Sequence, residues 1–206
     1  MIEIKNSNIT SQEKIRVLEN IKNVCAQCTN CKLYLGRTNI VFSDGNPDAQ
    51  IMLIGEAPGA NEDARGVPFV GRAGQLLDKF LEDAGISRKK DLYICNTVKC
   101  RPPENRVPTA DEKNACRVYL EAQISLVRPK IILLCGMTAV QSMMETKLPI
   151  SKIRGEWFDA PFAAKMMPIF HPSYLLRNHS IEEGSPRFFM LQDLKKAFDF
   201  SKKSLI

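Results

Sequence analysis

The residues best suited to chemistry in this sequence are its cysteines, and their spacing is informative. Cys28 and Cys31 form a C-x2-C pair, and Cys100 and Cys116 lie far downstream with fifteen residues between them. Four thiolates from such positions can surround a tetrahedral zinc ion or an iron–sulfur cluster, and spacing alone leaves both open, as it does a metal-free chain. Cys25 offers a competing partner for Cys28. Cys95 and Cys135 sit inside or at the end of apolar runs and read as small buried hydrophobes.

A second constellation is Gly55-Glu56-Ala57-Pro58-Gly59, continued by Ala60-Asn61-Glu62-Asp63 and then Gly66-Val67-Pro68-Phe69-Val70-Gly71-Arg72-Ala73-Gly74. Glycine and proline this dense give a rigid loop able to approach a planar or phosphorylated ligand closely. It matches neither the dinucleotide fingerprint nor the Walker loop. Read alone, Glu62 and Asp63 are a solvated acidic turn. The third constellation is Phe170-His171-Pro172-Ser173-Tyr174-Leu175-Leu176-Arg177. Its histidine is structural or catalytic depending on which end of a strand it follows.

The elements that must position these groups alternate. A capping box, Thr10 to Glu13, opens a helix with Ile15, Leu18, Ile21 and Val24 on one face. Apolar runs at residues 51–54, 92–98, 131–134 and 166–170 read as strands. Between them, Leu76, Leu77, Phe80, Leu81 and Ala84 share a helical face ended by Gly85, and a second capping box, Thr109 to Glu112, starts a helix ended by Pro129. A short helix follows at 140–144, the region around Trp157 has no clear pattern, and residues 186–203 read as a closing helix. This is an α/β pattern with a parallel sheet covered on both faces, and ligands of such sheets bind beyond the carboxyl ends of the strands. Residues 55–59, Asn96 onward, Gly136 and 171–173 all fall there.

Composition sets the frame. With 206 residues, 44% hydrophobic and 25% charged, the chain has the makings of one globular domain spanning 1–206. No apolar run reaches the roughly 18 residues of a membrane helix, and the opening residues lack a secretory core, so a cytoplasmic location without membrane attachment is expected. Lys and Arg outnumber Asp and Glu by 29 to 23, a net +6 that favours a polyanionic partner. Seven cysteines, an odd number, argue against a disulfide framework.

Together these segments resemble the family 4 uracil-DNA glycosylases, the iron–sulfur branch of the uracil-DNA glycosylase superfamily. The likeness runs in the family's order through Cys28-Thr29-Asn30-Cys31-Lys32-Leu33, Gly36-Arg37-Thr38, residues 55–59, Pro68-Phe69-Val70-Gly71, residues 96–103 and residues 171–178. Each motif is weak alone; their joint occurrence over most of the chain is specific. The resemblance implies a uracil-DNA glycosylase-like domain with a central four-stranded parallel sheet, and a structural 4Fe–4S cluster on Cys28, Cys31, Cys100 and Cys116, with Cys25 a spare thiol. It implies a monomer that flips uracil from DNA, at a cost of roughly a few kcal/mol, and hydrolyses the bond between uracil N1 and deoxyribose C1′.

On the same basis Glu56, Ala57, Pro58 and Gly59 line the pocket and Phe69 stacks on the base. Asn96 donates to O4 and accepts from N3–H, a pattern that cytosine reverses, and His171 donates to O2 as a neutral imidazole. The best-known branch has an aspartate and a tyrosine where this chain has Ala57 and Gly59. Glu56, and after it Glu62, are therefore the candidates for orienting water. Leu175 or Leu176 is expected to wedge into the DNA, with Arg177, Arg72 and Lys99 on phosphates. Pro102-Pro103-Glu104-Asn105-Arg106 lacks the histidine of the branch that captures abasic DNA, so ordinary turnover is expected. One rival reading is a non-catalytic, metal- or cluster-stabilised nucleic-acid binding module. Another is a nucleotide-handling enzyme, for which Glu62 and Asp63 would be a poor metal-chelating pair.

Overall fold

A computed structural model describes residues 9–160 and 165–203; the opening residues read for an export signal lie outside them. The elements run α1 (Ser11–Ala26), β1 (Asp44–Gly45), β2 (Ile51–Gly55), α2 (Ala60–Arg65), α3 (Arg72–Asp83), β3 (Leu92–Asn96), α4 (Ala110–Val127), β4 (Ile131–Cys135), α5 (Met137–Met143), α6 (Ile150–Ile153), β5 (Phe158–Asp159), β6 (Lys165–Ile169), α7 (Pro172–Leu175) and α8 (Pro186–Lys202). No helix among the described residues is long and apolar enough to cross a membrane.

The sheet has six strands in the order β1-β3-β2-β4-β6-β5, two more than the four expected. The inner four are parallel to one another; β1 and β5 pair antiparallel on the two edges. At two residues each, the edge strands are too short to carry the alternation by which a strand is read. The inner strands bury both faces. Met52, Ile54, Tyr93, Cys95, Ile132 and Leu134 meet α1, α4 and α5 on one side. Ile51, Leu53, Leu92, Ile94, Ile131 and Leu133 meet α3, α7 and α8 on the other. That period of two within a continuous apolar run is what a parallel sheet buried on both sides requires.

The N-terminal helix differs from expectation in its packing face. Both capping boxes form, with Thr10 N–H donating to Glu13 Oε2 at 2.9 Å and Thr109 N–H to Glu112 Oε2 at 2.8 Å. Of the four apolar residues assigned to the α1 core face, however, Ile15 and Val24 are 48% and 63% exposed. The helix docks through a narrower stripe, Leu18 and Cys25 with Ile21 beside them.

Strand order places the site. From β2 the chain crosses through α2 and α3 to β3 on one side, then through α4 to β4 on the other. The carboxyl ends of β2 and β4 therefore flank the point where the order reverses, which is where open α/β sheets leave a crevice. Gly55 and Glu56 stand on one lip, Gly136 and the start of α5 on the other.

Candidate active site

Four loops meet at this rim. Asn96, the last residue of β3, is paired in register with Gly55, the last residue of β2. A Cβ built on Gly55 would lie 2.4 Å from Asn96 Oδ1 and 2.5 Å from Phe69 Cζ, so only glycine lets the amide and the ring share that space. A Cβ on Gly136 would come within 3.0 Å of the His171 Cβ, which brings the histidine against the β4 loop. The Phe69 and His171 rings lie 5.8 Å apart between centroids. Phe69, Asn96 and His171 thus border one small space. Within it, Asn96 Oδ1 is buried and has no hydrogen-bond partner, an unusual condition for a buried polar atom.

The loop bearing Phe69 is strained and heavily braced. Phe69 has φ 52°, a left-handed conformation that a bulky side chain adopts only when its surroundings over-determine it. Arg88 supplies one brace, its Nη2 donating to the Pro68 carbonyl at 2.6 Å and its Nη1 to the Phe69 carbonyl at 3.2 Å. Asp44 and Asp78 hold the same guanidinium at 2.8 and 2.9 Å. Glu62 supplies another: its Oε1 accepts from the N–H groups of Val70 and Gly71, at 2.9 and 2.7 Å, and its Oε2 from Gly59 N–H at 3.1 Å. Gly74 completes the arrangement, since a Cβ there would strike the Phe69 carbonyl.

Several expectations change here. Glu62 is no free carboxylate for orienting water, because three backbone amides already occupy it. Asp63 is no solvated turn; it is 4% exposed and takes the Thr38 N–H on both oxygens, at 3.0 and 3.1 Å. Glu56 keeps one oxygen without an assigned partner, the other accepting from the Thr138 hydroxyl across the crevice. Leu175 is fully buried in the core beneath α7 and cannot wedge into DNA; Leu176, half-buried, remains at the surface edge. Lys99 is also fully buried, its Nζ donating to the Asn96 carbonyl at 2.7 Å, so it cannot meet a phosphate. Arg72 and Arg177 are exposed.

His171 caps α7. Its Nδ1 accepts from Ser173 N–H at 3.2 Å and lies 2.7 Å from the Ser173 hydroxyl, which leaves the proton of the neutral ring on Nε2. Desolvation pushes its pKa down to about 4, against a smaller opposing pull from Glu62. With the folded value below the ordinary ~6.5, the unfolded chain binds the extra proton first as pH falls. The stability held by the neutral ring is therefore complete above about pH 6.5 and is lost on acidification toward 4. Activity that depends on neutral His171 should be flat from about pH 5 to 8 and fall only below that. A His171→Gln variant, which cannot titrate, should be about a hundredfold slower and lack the acid limb. A parental kcat/KM profile that declines through pH 6.5 would contradict the neutral-ring assignment.

At the other end of this region, Cys25, Cys28, Cys31, Cys100 and Cys116 line one small hollow together with Arg37, Lys99 and Tyr119. Among the described residues no three His, Cys, Asp or Glu side chains are grouped around a single ion. Two sulfurs already receive hydrogen bonds, Cys100 from Arg37 Nη1 and Cys116 from the Lys99 N–H, both at 3.3 Å. Arg37 also donates to the carbonyls of Cys28, at 2.9 Å, and Ala26, at 2.6 Å, tying the first cysteine loop to the segment after β3. Burial raises the thiol pKa of Cys25 to about 12 and of Cys116 to about 11, with the Lys99 ammonium pulling the other way at both. Cys95 and Cys135 are fully buried in the sheet, as expected.

The sequence reading gives no role to Thr138 or Arg88, and it names Ser173 only as part of the segment around His171. Ser173, two residues after the histidine, carried a local signal. Arg88 and Thr138 carried none, since they reach the site only through the tertiary fold.

Residues 42–195 match the family model described as the uracil DNA glycosylase superfamily. The chain is 47% identical to a type-4 uracil-DNA glycosylase of Thermotoga maritima, over 91% of this chain and 96% of that one. Similar proteins of the same name occur in Sulfurisphaera tokodaii, 40% identical over 87% of this chain and 82% of the relative, and in Saccharolobus solfataricus, 42% identical over 81% and 80%. With Asn96, Phe69 and His171 gathered on one rim of the sheet, the chain belongs to the uracil-DNA glycosylase superfamily, in its type-4 branch.

Proposed function

We propose that this chain excises uracil from DNA in base excision repair by enclosing the flipped base between Phe69, Asn96 and His171. It is a monofunctional uracil-DNA glycosylase. The observation that carries the pocket assignment is the unpartnered Asn96 Oδ1, packed over Gly55 at the edge of the Phe69 ring. An acceptor buried without a partner costs about 1 to 3 kcal/mol, and a ligand N–H placed there recovers it. Uracil N3–H fits that need and O4 takes the amide N–H; cytosine, with an acceptor at N3, leaves both groups unpaired.

As the N1–C1′ bond breaks, the electron pair leaves with uracil and negative charge grows on O2. Neutral His171 donates its Nε2–H there, held in that tautomer by Ser173. Glu56, with one oxygen fixed by Thr138 and the other free, orients water toward C1′. The hydroxyl adds to C1′ and the remaining proton passes to the departing base, leaving an abasic site. Backbone groups of Ala57, Pro58 and Gly59 line the wall, Leu176 fills the gap in the stack, and Arg72 and Arg177 meet phosphates.

Cys28, Cys31, Cys100 and Cys116 hold a 4Fe–4S cluster in our reading. A cysteine-only donor set with N–H groups directed at two sulfurs suits it. Bound, the cluster supplies a cross-link between the first cysteine loop and the sheet. The free thiols suit the reducing cytoplasm, and we take the protein to act as a monomer.

The deciding assay incubates the protein with a single-uracil oligonucleotide and chelator, then reads alkali-labile sites and free uracil. Release of uracil without divalent metal is expected. Binding without release would favour the non-catalytic reading.

A further inference from the structure

Lys99 lies at zero exposure between the cysteine hollow and the pocket. Its backbone N–H donates to Cys116 Sγ at 3.3 Å, and its Nζ to the carbonyl of Asn96 at 2.7 Å. Its ammonium also stands 5.9 Å from the centre of the Phe42 ring. Among the described residues no carboxylate pairs with it. A buried cation without a counter-charge is costly, and one carbonyl, one ring face and the neutral Cys95 thiol beside it do not offset it. The groups around it that can carry negative charge are cysteine sulfurs, and of these Cys116, one of the cluster ligands in our reading, does so when it binds metal.

We propose that Lys99 is a positioning residue that links the cysteine centre to base recognition, its charge offset by the cluster thiolates while its ammonium fixes the Asn96 backbone. The inference rests on the pocket and cluster readings given above. It explains why a lysine occupies a position that burial would normally give to an apolar residue. Main-chain atoms of Asn96 are held by the β2–β3 ladder up to Gly55; beyond that register, Lys99 Nζ is the side chain that grips the Asn96 carbonyl. Without it, the amide that reads the base loses a fixed mount.

The test compares Lys99→Met, which keeps length but removes charge and donor, with Lys99→Gln, which removes charge but keeps an N–H donor. Both are purified with the cluster in place, verified by visible absorption. Affinity for free uracil is measured by calorimetry, and the cluster midpoint potential by spectroelectrochemical titration. Lys99→Met should bind uracil at least fivefold more weakly, and Lys99→Gln should recover most of that loss. The potential should move to more negative values in both, because a nearby positive charge favours the reduced cluster. Parental uracil affinity in Lys99→Met, or a parental potential in both variants, overturns the proposal. If Lys99→Met does not fold, Lys99→Gln carries the test: its potential must fall with uracil affinity near the parent's. Should the parent itself bind no uracil, the pocket reading fails, while the potentials still decide whether Lys99 faces a charged cluster.

Discussion

Asn96→Ala should lower uracil excision about a hundredfold while leaving the protein as stable as the parent. Two hydrogen bonds to the base disappear, together worth about 3 kcal/mol in the transition state relative to free enzyme and substrate. Stability is spared because Asn96 Oδ1 has no partner to lose in the free protein, and its removal relieves a buried unsatisfied acceptor. That combination separates a recognition residue from a structural one, whose loss would lower both. The measurement is kcat/KM on a uracil oligonucleotide beside the thermal midpoint of the same preparation. Parental kcat/KM would show that another group reads the base.

Cys100→Ala should have the larger effect on the protein as a whole. The residue is a proposed ligand, and its sulfur also receives Arg37, whose other hydrogen bonds hold the carbonyls of Ala26 and Cys28. Losing it releases the cluster and loosens the link between the first cysteine loop and the segment after β3. A bound metal centre is worth several kcal/mol or more to folding, against a total stability of about 5 to 15 kcal/mol. The visible chromophore should vanish, soluble yield should fall, and the thermal midpoint should drop far below the parent's. Cys25→Ala, by contrast, should keep the chromophore. A coloured, stable Cys100→Ala protein would show that Cys25 belongs to the ligand set instead.

Much of this arrangement is legible in the amino-acid sequence. Apolar runs of four or five residues, followed by Gly55, Asn96, Gly136 and His171, identify parallel strands and the rim where they end, because burial on both faces and loop chemistry at one edge are written locally. Asn96 and His171 fall on that rim through order along the chain alone, whereas Phe69, between α2 and α3, reaches it only in the folded chain. The capping boxes at Thr10 and Thr109 are equally local, a matter of three-residue spacing.

Tertiary structure decided what depends on distance in space. Whether Leu175 or Leu176 faces outward is set by how a four-residue helix sits on α3 and α8, and one residue of rotation buries Leu175. Lys99 and Glu62 read as a surface cation and a free carboxylate because charged residues are usually solvated. Only the packed chain supplies the Asn96 carbonyl for one and three converging amide groups for the other. The same holds for Arg88, whose grip on the Phe69 loop depends on the turn after α3 returning to β1. Local sequence determines which groups exist and at which end of the sheet they lie; the folded chain determines which are already engaged and which remain free for a substrate.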